Sequence, residues 1–371
     1  MNFILINATC VGEKPDGIAV YCREVVKELL AEKQNKHYIV YINSKGINEM
    51  AFLNKRNDVA LHILPGFFSP DYGLIGHIMR LGFSQFLALR YPRTLIFNPS
   101  QLEACFYNKN QVLMVHDLIP MLFHNDPLLR HAKQYYFFKY ILGAAIRNAG
   151  AVISPSFHTL EMINKRFRPN PGKLFTIHNG IKTPEIKPIN DTKRKGNFIL
   201  YLGRLSPAKN VAGLINAYRK IADQVPHKLV IAGSGDIERI KKGDPGGPGT
   251  VEFMGYVSDK EVDRLLSTAA LFVFPSFYEG FGFPPLEAMA RGCPVVVSNV
   301  ASLPEICGEA ALYVNPRSVD SIADAMVKVI SDESLRKSLI QYGYERVKEF
   351  TWQRSADKHL KVFDFVQTGM E

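Results

Sequence analysis

The sequence predicts two consecutive α/β domains, each a doubly wound parallel sheet. Short apolar runs rich in Val, Ile and Leu alternate with amphipathic, helix-like stretches along the whole chain. The alternation stops over residues 181–197 and then restarts. Glycine-rich turns follow strand-like runs in both halves. Strands alternating with helices build parallel sheets through crossover connections, and a restart marks a second domain. The 371 residues leave room for two domains of ~100–200 residues each.

The first half carries its strand-like runs at 3–7 (FILIN), 37–43, 60–65, 94–99, 111–117, 151–156 and 174–180. Helix-like stretches at 19–33 and 156–166 lie between them, the former with apolar positions at Val25, Val26, Leu29 and Leu30. Residues 181–197, IKTPEIKPINDTKRKGN, have no apolar period, two prolines and many charges, and read as a linker. The second half repeats the pattern at 198–203, 228–233, 251–255, 270–274, 294–298 and 310–314. A long helical segment over 332–365 breaks near Phe350 and Thr351. The expected division is therefore 1–180, the linker 181–197, 198–350, and a terminal helix within 351–371 that returns to the first domain. Ligands of open parallel sheets bind beyond the carboxyl ends of the strands, so two such sheets facing one another would form a cleft.

A hydrophobic fraction of 47% and a charged fraction of 22% are those of an ordinary globular protein. No uninterrupted apolar run is long enough to predict a transmembrane helix. The start, MNFILINATC, enters a strand without the basic region or cleavage site of a signal peptide, which points to the cytoplasm. Five cysteines, at 10, 22, 105, 293 and 307, are scattered without a C-x-x-C pair and read as reduced core thiols. The formal charge of +10 calls for an anionic partner. No nucleic-acid module is present, which leaves an anionic membrane surface and a phosphorylated ligand.

The stretch 274–299, FPSFYEGFGFPPLEAMARGCPVVVSN, carries the strongest chemical signal. A strand leads into a glycine- and proline-rich turn, a short helix over 285–291, and a second strand. Orphan N–H groups at such a helix start favour an anion. Glu279 and Glu287 flank the turn, and carboxylates in that field are better suited to hydroxyls at the other end of the ligand. A sugar nucleotide has both an anionic and a hydroxyl-rich end.

In YLGRLSPAKN (201–210) a strand ends at Gly203 and a helix is expected from about Pro207, bracketed by Arg204 and Lys209. A guanidinium fork and an ammonium there suit a diphosphate, although a solvated basic loop has the same composition. In 14–30, Gly17 stands at a helix entrance, where a missing side chain lets a ligand approach the backbone or simply eases a turn. His116 and Asp117 end a strand; the histidine could bond a sugar hydroxyl and the aspartate could orient a neighbour, or both could brace the loop. The G-x-G of IAGSGD (231–236) reads best as a tight βα turn. There is no G-x-x-x-x-G-K-[ST] loop, no D-x-D pair at a strand end, and no cluster with metal-ligand spacing. Basic side chains and helix ends, with no metal and no cofactor, are expected to neutralise the diphosphate.

Together these residues resemble the retaining glycosyltransferases of family 4, which have two Rossmann-like domains in the GT-B arrangement. The resemblance spans nearly the whole chain. It is carried by the E-x7-E pair Glu279 and Glu287, by SLPEICGEAALYVNP (302–316), by GRLSPAKN and IHNGI (177–181), and by the terminal FTWQRSADKHLKVF. It implies that 1–180 is the acceptor side and 198–350 the donor side. It implies that Arg204 and Lys209 hold the donor diphosphate and that Glu287 binds the ribose. Glu279, with the backbone of Gly280, Phe281 and Gly282, would hold the donor sugar; Gly17 would admit the diphosphate and His116 would contact the transferred sugar. Where the family often has two glycines in its first loop, this chain has Asp16 and Gly17, so Asp16 either meets the acceptor, as Asp117 could, or caps the helix. His116, Arg204, Lys209 and Glu279 are the expected catalytic set.

HDLIPMLF with FPSFYEGFGFPPLEAM resembles bacterial mannosyltransferases of surface-polysaccharide assembly, which implies GDP-mannose as donor, with UDP- or dTDP-linked sugars as alternatives. Residues 67–93 and 130–147 mix arginine or lysine with aromatic and apolar residues, as a surface resting on anionic lipid would, or as ordinary helix core would. A lipid-linked saccharide acceptor and peripheral attachment to the inner face of the cytoplasmic membrane follow as expectations. A sugar-nucleotide epimerase or hydrolase, or a non-catalytic sugar-nucleotide-binding partner, would share the fold. The presence of all the residues above speaks against an inactive homologue.

Overall fold

The computed structural model describes residues 3–13, 16–31, 36–56, 58–123, 125, 132–182 and 196–369. Most of the expected linker, residues 183–195, lies outside the described residues, as do Lys14 and Pro15 ahead of the first helix, residues 130 and 131 of the second basic–aromatic stretch, and the last two residues. The described residues form two compact units. One runs to Gly180 and resumes at Trp352; the other runs from Ile181 to Thr351.

The first unit is built on β1 (Phe3–Asn7), β2 (His37–Asn43), β3 (Val59–Leu64), β4 (Leu95–Asn98), β5 (Gln111–Met114), β6 (Ala151–Ser154) and β7 (Leu174–Thr176). Among the described residues they make one all-parallel sheet in the order β3-β2-β1-β4-β5-β6-β7. β1 lies between β2 and β4, with Ile4 opposite both Tyr38 and Leu95. The chain therefore winds one way from β1 to β3 and the other way from β4 on, and the switch point lies between β1 and β4. The central strands are buried throughout, which is why they read as continuous apolar runs rather than alternating ones.

Helix α1 (Gly17–Ala31) buries Tyr21, Cys22, Val25, Val26, Leu29 and Leu30, the stripe its period announces. Helix α2 (Gly73–Arg90) follows β3, and α3 (Phe157–Phe167) starts where the Ser156 hydroxyl accepts the Thr159 N–H at 3.1 Å. The terminal helix, Trp352–Thr368, packs on α1 and over β4 and β5. Its Phe363 and His359 rings lie 5.2 and 5.5 Å from that of Phe97.

The second unit contains β8 (Phe198–Leu202), β9 (Lys228–Ala232), β10 (Val251–Gly255), β11 (Leu271–Phe274), β12 (Val295–Ser298) and β13 (Leu312–Val314). Their order, β10-β9-β8-β11-β12-β13, is again all-parallel, with a switch point between β8 and β11. Around the sheet, α4 (Val211–Ile221), α5 (Asp259–Thr268), α6 (Phe283–Ala290), α7 (Val319–Ser331) and α8 (Glu333–Val347) close one continuous apolar core; α9 is the terminal Trp352–Thr368 helix. All five cysteines are buried and none is in a disulfide among the described residues, as the sequence reading expects.

Helix starts differ in detail from the sequence reading. The helix expected from Pro207 begins at Val211, because Pro207–Lys209 form a tighter 3-10 turn and Asn210 then takes a left-handed conformation at φ 55°. The break between α8 and α9 falls at the expected place, where Phe350 turns its ring into the second unit's core 5.8 Å from Phe281.

Candidate functional site

In the second unit, the two loops that leave the switch point are those after β8 and after β11, and they carry the two strongest sequence signals. The β8 loop holds Arg204, the 3-10 turn Pro207–Lys209 and Asn210. The β11 loop holds Ser276, Glu279, Gly280, Phe281 and Gly282 before α6. The Phe277 N–H donates to the Ala208 carbonyl at 2.8 Å, which fastens the loops together. The Asn210 amide donates to the Pro316 carbonyl at 2.7 Å, which ties in the loop after β13.

The Lys209 ammonium donates to Glu279 Oε1 at 2.6 Å and stands 5.7 Å from the centre of the Phe274 ring. Glu279 is 7% exposed. This charge-assisted bond fastens the ammonium to the carboxylate of the neighbouring loop. Arg204 is exposed, and its guanidinium has no partner among the described residues. Its carbonyl accepts from the buried Tyr201 hydroxyl at 3.1 Å. Burial and the charge of Glu279 push the Tyr201 phenol well above its ordinary range, so it stays a donor.

Gly282 stands at the N-cap of α6 with φ +111°, and a Cβ there would lie 2.8 Å from Leu303 Cδ2. Only glycine fits both demands. Glu287 sits in the second turn of α6. Burial raises its carboxyl above the ordinary carboxylate range; Arg291 opposes the shift, while Asp259 and Asp263 add to it. Arg291 is itself engaged, its Nε 2.8 Å from Asp263 Oδ1. The G-x-G after β9 is a packing feature: a Cβ on Gly233 would lie 1.8 Å from the Gly203 carbonyl oxygen, so the tight-turn reading holds.

In the first unit the candidate residues lie at the carboxyl ends of β1 and β5. Asp16 Oδ1 accepts the N–H groups of Ile18 (3.0 Å) and Ala19 (2.9 Å), so it caps α1 and fixes Gly17 in the first turn. His116 Nε2 lies 2.8 Å from the Pro99 carbonyl, so that nitrogen carries the proton. The His116 N–H donates to Gln101 Oε1 at 3.0 Å, and its ring meets Tyr21 edge-on at 4.8 Å. Burial lowers the His116 imidazole to about 4, with the Pro99 bond and the Asp16 charge opposing. It is neutral at physiological pH and offers Nδ1 as an acceptor. Asp117 Oδ1 accepts the Ile119 N–H at 3.0 Å in the turn that opens the next helix.

Sequence reading missed several residues that shape these loops. Ser302, in the loop after β12, donates to the carbonyls of Glu279 and Phe281. Gln101 holds the His116 backbone. Arg80 of α2, expected with Arg90 and Arg93 among the lipid-facing cations of 67–93, is instead buried in an ion pair with Glu103 at 2.6 Å, the side chains 3% and 1% exposed, because its charge finds a partner inside the unit. Each partner lies far away in sequence, and no local motif announces it.

Two family models match the chain: one described as Glycosyltransferase Family 4 over residues 15–185, the other as Glycosyl transferases group 1 over residues 182–346. Between them they take in both sheets and both sets of candidate residues. The chain is a GT-B glycosyltransferase. Among its relatives, the O-antigen chain mannosyltransferase B of Escherichia coli is 35% identical over 174 residues, 45% of either chain. The serotype-specific mannosyltransferase WbdA of Escherichia coli is 28% identical over 278 residues, 69% of this chain and 33% of that one. The match thus spans half or less of these relatives' length. Sucrose-phosphate synthase from Thermosynechococcus elongatus shares the glycosyltransferase's fold with a TM-score of 0.76, at 21% identity over the whole of both chains.

Proposed function

We propose that this glycosyltransferase moves mannose from GDP-mannose onto a lipid-linked saccharide in polysaccharide biosynthesis, with retention of configuration. The observation that carries the reading is the Lys209–Glu279 pair at the switch point, where a cation and an acid from neighbouring loops are held 2.6 Å apart. Such a pair matches a ligand with a diphosphate at one end and hydroxyls at the other. The relatives described as mannosyltransferases support mannose.

In this reading Lys209 turns from Glu279 to the donor diphosphate, and Arg204 joins it. Glu279, released from the lysine, accepts hydroxyls of the donor sugar, and Glu287 accepts those of the ribose. As the glycosidic bond to the diphosphate breaks, negative charge grows on the leaving oxygen and the two cations stabilise it. The leaving diphosphate then takes the acceptor hydroxyl's proton on the same face, and no enzyme carboxylate forms a covalent intermediate. In the first unit, the acceptor side of this reading, neutral His116 accepts a hydroxyl hydrogen bond through Nδ1. Asp16 keeps an acceptor contact only through the oxygen its helix cap leaves over, and Asp117 is the second acceptor-side acid of this reading.

The membrane side of the proposal rests on α2. Leu74, Ile75, Ile78, Phe86 and Leu89 are exposed on that helix, with Arg90 and Arg93 exposed at its end. The His77 ring meets Phe137 at 4.8 Å, which brings α2 beside exposed Tyr136, Tyr140 and Lys139. An apolar face ringed by cations and tyrosines suits an anionic bilayer surface. Among the described residues no helix is long and apolar enough to cross a membrane.

Calorimetric titration with GDP, UDP and dTDP tests the donor. Tight binding of GDP alone supports a GDP-sugar. Preference for UDP or dTDP moves the donor to that nucleotide, and binding of none refutes the donor site.

A further inference from the structure

We propose that Ser302 is a positioning residue for the donor, acting through the backbone of the Glu279–Gly282 loop. The inference rests on the donor reading above and adds to it a residue that opens the 302–316 stretch and was given no role there.

Ser302 is fully buried and stands at the N-cap of the short helix Leu303–Cys307. A serine there ordinarily uses its hydroxyl to cap its own helix, an interaction worth about 1 kcal/mol. This one makes no such bond. Its Oγ instead lies 3.0 Å from the Glu279 carbonyl and 2.8 Å from the Phe281 carbonyl, across 23 and 21 residues. The single hydroxyl proton is shared between two acceptors, so both carbonyls are drawn to one point.

The consequence follows from peptide geometry. In a trans peptide the C=O and the following N–H point in opposite directions. Gathering the carbonyls of Glu279 and Phe281 at Ser302 turns the N–H groups of Gly280 and Gly282 the other way. The two amides are thereby fixed in direction within the turn. The same gathering holds the backbone from which the Glu279 carboxylate projects. Ser302 thus sets the direction of the amides and the height of the acid together.

A second feature of the same loop supports a demanding geometry. Ala301 has φ +54°, a left-handed conformation that L-residues with a Cβ avoid. Such an outlier costs on the order of 1–3 kcal/mol and persists only where the surroundings enforce it. Its place beside Ser302, with Leu303 pressed against Gly282 on the other side, makes this short turn the template for the donor loop.

The test compares full-length wild type, Ser302→Ala and Ser302→Thr. Binding is measured by calorimetry with GDP-mannose, with UDP-glucose run beside it. Donor and acceptor KM and kcat are measured for the transfer, and amide hydrogen exchange of the 279–283 peptide is followed without ligand. Ser302→Ala is expected to exchange faster in that peptide, to weaken the preferred donor about tenfold in Kd and KM, and to leave acceptor KM and kcat within threefold. Ser302→Thr, which keeps the hydroxyl, is expected to return donor KM to within threefold of wild type. Ser302→Cys, with a weaker donor in nearly the same volume, should fall between and stands in if threonine does not fold.

Unchanged donor KM in folded Ser302→Ala would overturn the proposal. So would a fall in melting temperature with no donor-specific effect, which marks a merely structural serine. A wild type that binds neither sugar nucleotide nor any of GDP, UDP and dTDP overturns the donor reading and this proposal with it. The ligand-free exchange result tells that failure apart from a loop that Ser302 does not order.

Discussion

The two units share a topology and differ inside. The second unit closes around one apolar core, and its described buried polar side chains, Asn210, Ser276, Glu279, Ser298 and Ser302, lie at or beyond strand ends. The first unit instead bonds the polar side chains at its strand ends to one another in a network. The Asn7 amide donates to Ser84 Oγ (2.9 Å) and Asn98 Oδ1 (3.1 Å), and Asn98 donates to Gln111 Oε1 (3.0 Å). Asn43 holds the carbonyls of Thr9 (3.0 Å) and Val11 (2.7 Å). The buried Arg80–Glu103 pair lies behind the same strand ends.

The difference teaches where each unit keeps its geometry. Buried polar groups gain little net stability when paired and cost heavily when one partner is lost. The first unit therefore stakes its stability on a network that fixes its loops from within. The second rests on apolar burial and concentrates its directional bonds and its strain in the loops themselves.

The largest effect expected from this contrast comes from Arg80→Ala. It leaves the Glu103 carboxylate buried without its ion-pair partner and should destabilise the first unit by about 3–5 kcal/mol. The single tryptophan, Trp352, belongs to this unit, so urea unfolding followed by its fluorescence reports the loss. Nucleotide affinity should stay within twofold at urea concentrations where the unit is folded. A mutant with unchanged unfolding midpoint would break the comparison.

Lys209→Ala should act in the opposite sense. Turnover is expected to fall about 10²–10³-fold, in line with loss of one group that stabilises a developing oxyanion. Donor affinity should fall far less, and the Trp352 unfolding transition should not move. Equal losses in kcat and donor affinity would remove the transition-state role from Lys209.

Acid should separate the units next. His359 in α9 is fully buried; its Nδ1–H donates to the Ser355 carbonyl at 2.7 Å, and its Nε2 accepts from the Tyr21 hydroxyl at 2.7 Å. Burial lowers it from 6.5 to about 4, with the Ser355 bond opposing. The unfolded chain thus takes up this proton first as pH falls. Stability from the neutral imidazole is fully present above pH 6.5 and is lost progressively down to about 4, a total on the order of 3 kcal/mol. Unfolding midpoints read by Trp352 between pH 7 and 4 should slope accordingly, and His359→Gln should flatten the slope. An unaltered slope would show that α9 is not the acid-sensitive element.

The smallest expected effect lies on the surface. Ile78→Glu on α2 should change stability by no more than about 0.5 kcal/mol. It should weaken flotation with anionic vesicles by roughly tenfold, in keeping with about 1.5–3 kcal/mol for burying such a side chain. Wild-type chain that fails to float at low salt would remove the membrane from the proposal.

Every strand of both sheets was legible in the sequence, because a buried parallel strand is a local run of apolar residues and needs no partner to be recognised. So were the stripe of α1 and the Glu279 loop, where a glycine-rich turn follows a strand. Helix starts were less legible: the left-handed Asn210 is held by the distant Pro316 carbonyl, and nothing near Pro207 reveals it.

By itself, then, the sequence determined which residues form strands, that there are two sheets, and which charged residues stand at strand ends. Hydrophobic period and turn chemistry act over a few residues and can be read there. Tertiary structure alone decided that Lys209 meets Glu279, that His116 carries its proton on Nε2, that Asp16 caps α1, and that Ser302 holds the donor loop. Of these, all but the Asp16 cap depend on angstrom-scale placement of groups distant along the chain; the cap itself is local, but a sequence that permits it does not show it formed.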